Sequence, residues 1–304
     1  MPQQLIETAL LEKLERLTIQ WRKSLPGLVG GHNTSRFAGP GQEFLDHRNF
    51  HHGDDVRAVN WRVFLRLEKL FLKMFQLEPR IPVRLLLDCS KSMLTGGLTG
   101  GTGVDDGKPT KFDYARKLAA ALCYVGLVRL DSICLQPFSD KLGDAFIASG
   151  GRHRFQPAAN FLAAVRAGGT TNFLEVSRSF ISKYPQRGLA IVISDFLDDG
   201  DCDRPLQYLS DFGHELILVQ VWAPEDREPP WEGELELEDA ETGQNVELAF
   251  DSDARAMYTT AFDEYAQGLR NVALRNNGRY VGLPTNVPVD EAIFGALMRS
   301  GAVE

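Results

Sequence analysis

The spacing of apolar and polar positions changes period along this chain, and the changes mark out its elements. From residue 81 onward, short unbroken apolar runs alternate with segments whose apolar residues recur every three or four positions. RLLLDCS (84–90), SICLQPFS (132–139), GLAIVISDF (188–196) and HELILVQVW (214–222) are the unbroken runs, and each predicts a strand buried on both faces. TKFDYARKLAAALCYVGLVRL (110–130), AANFLAAVRA (158–167), NFLEVSRSFISKY (172–184) and RPLQYLSDF (204–212) carry the helical period. Thr110 with Asp113, and Asn172 with Glu175, have the spacing of helix N-caps. DAFIAS (144–149) predicts a short strand after a tight turn at Lys141–Gly143. ELELEDAETGQNVELAF (234–250) alternates with period two around a Glu-Thr-Gly-Gln turn and predicts a hairpin. A long amphipathic helix (254–278), a short strand in RYVGLP (279–284) and a helix in VDEAIFGALMRS (289–300) complete the series. The order predicts an α/β fold: a doubly wound, mostly parallel sheet flanked by helices, with an inserted β-hairpin.

Residues 1–80 break this rhythm. A charged amphipathic helix in MPQQLIETALLEKLERL leads into LPGLVGGHNTSRFAGPGQEF, which is Gly-rich and irregular. HRNFHHGDDVRAVNW and VFLRLEKLFLKMFQLE then run toward the first core strand. The region is too short and too loop-rich to bury a core of its own. The expected organisation is therefore an N-terminal extension (1–80) packed on an α/β body (81–304).

Composition narrows the classes. Hydrophobic residues make up 43% of the 304 positions, enough for a sizeable core. The four cysteines, Cys89, Cys123, Cys134 and Cys202, are scattered with no C-x-x-C pair. That argues against a zinc ribbon and a secreted disulfide framework and fits a reducing, cytoplasmic setting. The N-terminus lacks the uncharged core of a signal peptide. No apolar run approaches the roughly 18 residues that span a bilayer, so no integral membrane segment is expected. The net charge of −8 is uneven: residues 1–80 carry 12 Lys and Arg against 9 Asp and Glu, whereas 81–304 carry 21 against 32. The acidic bulk disfavours general nucleic-acid binding.

The chemistry concentrates after the first buried run. LLLDCSKSM (85–93) leaves the strand and presents Asp88, Ser90 and Ser92 at alternating positions. In an extended segment that spacing sends all three side chains to one side. Taken alone the triplet reads equally as a turn. Two further oxygen-rich segments, Gly168-Gly169-Thr170-Thr171 and Ser194-Asp195, fall at strand ends or linking loops, where open α/β sheets bind ligands. Together they offer Asp88, Ser90, Ser92, Thr170 and Asp195 to one hard cation, with Mg²⁺ (or Mn²⁺) favoured. Thr171 competes with Thr170 or caps the following helix. Other features weigh less. His47, His51 and His52 lie close to Asp54 and Asp55, but without a helical His pair they read as a solvated turn held by Arg57. Arg57, Arg62, Arg66, Lys69 and Lys73 form a basic series that reads as a solvated helix flank or as a docking face. The stretch LTGGLTGGTGVDDGKP (94–109) holds no phosphate-loop pattern and reads as a flexible rim near the metal.

D-x-S-x-S, then G-G-T, then an Asp after an apolar strand, in that order, resembles the von Willebrand factor A domain with its metal-ion-dependent adhesion site. GQEF, HRNFHHGDDVRAVNW and FLKMFQLEPRIPVRLLLDCSKSM resemble the domain-of-unknown-function 58 family, whose members carry a G-D-D-x-R-x-(I/V)-(D/N)-W signature ahead of such a domain. Asn60 stands where Asp is usual before Trp61. The resemblance implies metal ligation by Asp88, Ser90 and Ser92 from a first loop, Thr170 from a second and Asp195 from a third. It makes Asp54, Asp55, Arg57, Trp61 and Arg62 candidates for partner docking. It further implies a MoxR-type AAA+ ATPase partner and a role in protein maturation or complex assembly, with a client carboxylate completing the metal shell. The expected function is a non-enzymatic, metal-dependent protein-interaction module. The alternatives are a metal-dependent hydrolase of phosphate esters, with Ser90 as nucleophile and Asp195 as base, and an extracellular adhesion module.

Overall fold

A computed structural model describes residues 5–19, 44–51, 56, 59–75, 82–95, 110–129, 131–197 and 202–304. These belong to two compact units, one formed by residues 1–22 with 81–304 and the other by residues 23–80.

The larger unit is built on a six-stranded sheet. Its strands are β3 (Pro82–Asp88), β4 (Ser132–Phe138), β5 (Phe146–Ser149), β6 (Leu189–Ser194), β7 (Glu215–Trp222) and β10 (Arg279–Pro284), in the spatial order β10-β7-β6-β3-β4-β5. All neighbouring pairs are parallel except β4 with β5, which is antiparallel. β6 is buried at every position, because helices cover both faces of the sheet. Burying each of its large apolar side chains contributes about 1.5–3 kcal/mol.

One face packs α1 (Thr8–Leu14), α3 (Lys111–Val128), α4 (Phe155–Ala164) and the C-terminal helix, which begins as α9 (Val289–Glu291) and continues as a π-helical turn over Ala292–Leu297. The other face packs α5 (Phe173–Lys183), α6 (Asp203–Asp211) and α8 (Ser252–Arg275). The two expected caps form: Thr110 Oγ1 accepts from Asp113 N at 3.1 Å and Asn172 Oδ1 from Glu175 N at 3.0 Å. The N-terminal helix is shorter than its pattern predicts. After it, the backbone of Thr18 exchanges hydrogen bonds with Glu304.

The hairpin is present as β8 (Gly233–Glu238) and β9 (Asn245–Phe250), a separate two-stranded sheet with mostly exposed strands. It follows the single turn α7 (Pro224–Arg227).

The smaller unit contains β1 (Phe44–Asn49), α2 (Trp61–Leu67) and β2 (Phe71–Phe75), with β1 and β2 antiparallel. The helix stops at Glu68, which adopts a left-handed φ of 53°. The basic series is therefore no single helix flank: Arg62 and Arg66 lie on α2, Lys69 follows it, and Lys73 belongs to β2. Arg57 and the Gly-rich stretch 96–109 lie outside the described residues.

Candidate metal centre

The sheet order places the site. From β3 the chain moves to β4 on one side and later returns to β6 on the other. The crevice between the carboxyl ends of β3 and β6 is thus a topological switch point, where such sheets bind ligands. Asp88 ends β3, Ser194 ends β6, and Asp195 follows it.

Asp88 is fully buried. One carboxylate oxygen accepts from Ser90 N at 2.9 Å and the other from the Ser194 hydroxyl at 2.6 Å. Ser90 and Ser92 are also buried, and their hydroxyl oxygens stand 2.9 Å apart. The second loop lies against the first: Gly168 N donates to Cys89 O at 2.6 Å and Lys91 N donates to Gly169 O at 3.0 Å. Gly169 has a φ of +86°, a conformation open to glycine at little cost. Thr170 follows it and is exposed.

Asp195 is 1% exposed and accepts from Lys111 Nζ at 2.8 Å. Lys111 is itself 1% exposed and lies 3.2 Å from Asp226 of α7. Beyond Asp195, Phe196 holds a φ of +59° while fully buried. That costs roughly 1–3 kcal/mol for a residue with a side chain. Its amide donates to Ser194 Oγ at 2.8 Å, its ring stacks on Phe173, and its carbonyl accepts from Tyr265. The strained turn returns the chain so that Leu197 N can donate to Asp195 at 3.1 Å.

The electrostatics follow from this packing. Burial, then the neighbouring Asp195 charge, push the Asp88 carboxyl up to about 7, against the hydrogen bonds from Ser194 and Ser90. Burial alone would lower the Lys111 ammonium, but the Asp195 and Asp226 charges outweigh it and raise it. The cluster sets three carboxyl groups, Asp88, Asp195 and Asp226, around the one ammonium of Lys111.

The donor set fits a divalent cation. Adjacent oxygens on an octahedron with bonds near 2.0–2.1 Å are about 2.9 Å apart, the separation of the Ser90 and Ser92 hydroxyls. Among the described residues no group of three or more His, Cys, Asp or Glu side chains is placed to hold a metal. A centre here would rest on hydroxyls, with carboxylates balancing charge.

Asp88, Ser90, Ser92 and Asp195 therefore gather at one crevice, with the Thr170 loop beside them. Thr171 does not cap α5; Asn172 does. Instead Thr171 donates through its amide at 2.8 Å and its hydroxyl at 3.0 Å to the Glu241 carboxylate, at the hairpin turn. Cys89 points away into the core. Lys111, Asp226 and Glu241 escaped the sequence reading. Lys111 did leave one signal, since a lysine in the first turn of a helix opposes the macrodipole and needs a local reason. Asp226 and Glu241 left none.

In the smaller unit, Trp61 is 56% exposed and Arg62 is exposed. Asp54, Asp55 and Arg57 lie outside the described residues. His47 Nε2 is 2.7 Å from Asn60 Nδ2.

Residues 46–267 match the protein family described as "Protein of unknown function DUF58". Uncharacterised proteins of Mycobacterium bovis and Mycobacterium tuberculosis are 26% identical over 251 residues, covering 82% of this chain and 76% of theirs. Among solved structures, the conserved hypothetical protein BatB from Bacteroides thetaiotaomicron aligns at 20% identity with a TM-score of 0.44, covering 73% of this chain and 98% of that one. An aerotolerance-related membrane protein from Bacteroides fragilis, carrying multiple mutations to serines, aligns at 18% identity and a TM-score of 0.39, covering 72% and 99%.

Proposed function

The chain belongs to the DUF58 family, and from that premise and the geometry at the switch point we propose that it is a metal-dependent protein-interaction module of the von Willebrand factor A type. The observation that supports this best is the Ser90–Ser92 hydroxyl pair, 2.9 Å apart and buried beside Asp88 and Asp195. Ser90, Ser92 and Thr170 would hold Mg²⁺ or Mn²⁺, with Asp88 and Asp195 balancing its charge. Bound there, the ion supplies an electrophilic vertex that takes an outside carboxylate oxygen. The protein's own groups prepare the place. Ser194 and the Ser90 amide fix the Asp88 carboxylate, and Lys111 fixes Asp195. Burial keeps water from competing for these oxygens.

Binding is favoured over hydrolysis by one local fact. The Ser90 hydroxyl is shared between Ser92 and the Asp88 carboxylate, which the Ser90 amide and Ser194 already hold, and the buried amine of Lys111 is held by two carboxylates. A nucleophile whose neighbouring carboxylate is already engaged in this way stays weak.

We further propose, on family resemblance, that the partner is a MoxR-type AAA+ ATPase, that a client or partner carboxylate completes the shell, and that the protein works in the cytoplasm. All four cysteines are buried, and their scattered positions suit a reducing compartment. Among the described residues no helix is long and apolar enough to cross a membrane.

The test is calorimetric titration of Mg²⁺ or Mn²⁺ into the wild type and Asp88→Ala. The expected result is at least a tenfold loss of affinity in the variant; equal binding by both would rule out the site. An affinity capture with and without chelator then checks the partner. An AAA+ ATPase retained with Mg²⁺ and lost with chelator is the expected outcome.

A further inference from the structure

In the larger unit the hairpin lies outside both core clusters. Its strands are mostly exposed, yet its tip is tightly built. Asp239 accepts from Glu241 N at 3.0 Å, Thr242 N at 2.5 Å and Thr242 Oγ1 at 2.8 Å, and its backbone closes the turn with Gln244 and Gly243. Those bonds hold the Asp239 carboxyl below its usual range, the Thr242 amide foremost. The rigid tip delivers Glu241 to the second loop, where both carboxylate oxygens bind Thr171, next to Thr170. Glu241 also lines a cavity with Ser92, Thr95, Lys111, Leu197 and Asp226. Ser92 and Lys111 place that cavity beside the proposed metal centre. A carboxylate of this chain thus stands beside the proposed centre, on a side from which an outside carboxylate would approach.

We propose that the β8–β9 hairpin is a built-in strap whose Glu241 carboxylate occupies the approach to the centre and competes with an acidic segment of the partner. This rests on the metal-site reading above and adds its regulation. Thr171 is the latch: an arriving carboxylate takes the rim only when Glu241 releases it. The exposed strands give the arm little packing to break as it swings.

The experiment uses the full chain as wild type, Glu241→Ala, Glu238→Ala and Asp88→Ala. Mn²⁺ binding is measured by calorimetry, and binding of a fluorescein-labelled deca-glutamate peptide by anisotropy in saturating Mn²⁺. Glu238→Ala removes the same charge from the same hairpin without touching Thr171. The expected result is Mn²⁺ bound by wild type and both hairpin variants but not by Asp88→Ala, with peptide affinity raised about tenfold in Glu241→Ala alone. Peptide affinity equal in Glu241→Ala and wild type, or raised equally in Glu238→Ala, overturns the strap while leaving the metal centre standing. Absence of Mn²⁺ binding in the wild type overturns the metal-site reading and the strap with it.

Discussion

Asp88 is where the chemistry of the site meets the stability of the fold. Its carboxyl, ordinarily near 3.8, is raised to about 7 by burial and by Asp195. The folded protein therefore binds more protons than the unfolded chain between those values. Its contribution to stability is full below about 3.8 and lost as pH rises through about 7. Denaturation in chelator should show wild type losing stability relative to Asp88→Asn across that window, by at most about 1.4 kcal/mol per pH unit. Parallel pH profiles for the two proteins would contradict the assignment. At this scale the donor types of Asp88, Ser90 and Ser92 were legible, but the extended alternation expected of them does not form: the strand ends at Asp88, Lys91 is helical and Ser92 opens a 3-10 turn, so a turn brings the two hydroxyls together. Lys111 was not legible as part of the site. Its partner Asp195 is 84 residues away, and its place in the first turn of a helix says nothing of which group it meets.

Among the elements, α3 links local sequence to the site most directly. Thr110 caps it, its hydroxyl taking the Asp113 amide, and so sets the first turn that carries Lys111 toward Asp195. Thr110→Ala should lower stability by about 1 kcal/mol, the ordinary worth of such a cap, as read by urea denaturation. The strands and helices of the sheet unit were readable because each announces itself by period and by cap residues within a dozen positions. The smaller unit was read less well. Its basic series, expected as a solvated helix flank or a docking face, divides between α2, a left-handed turn at Glu68 and β2. A local run of Leu, Phe and Lys suits helix and strand alike, and the pairing of β2 with β1 settles the matter. The hairpin was recognisable from its alternation, but its purpose lay in where the tip lands.

At the scale of the whole molecule, a ligand that binds only the folded state stabilises the unit that holds its site. Metal at a hundred times its dissociation constant should add about 2.7 kcal/mol. For a body of this size that is a rise in melting temperature of about 5–10 °C. Differential scanning calorimetry with and without Mg²⁺ reads it directly, and Asp88→Ala should show no rise. The sequence by itself determined the alternation of buried strands and amphipathic helices, the caps, the hairpin and the identity of the hydroxyl and carboxylate donors, since all of these are written in spacing along one segment. Tertiary structure alone decided the strand order that brings β3 beside β6, the joining of Asp88 to Ser194, the burial of Lys111 between two aspartates and the reach of Glu241 to Thr171. The physical reason is that those contacts join segments tens of residues apart, and only the packing of helices on both faces of the twisted sheet sets the distances between them.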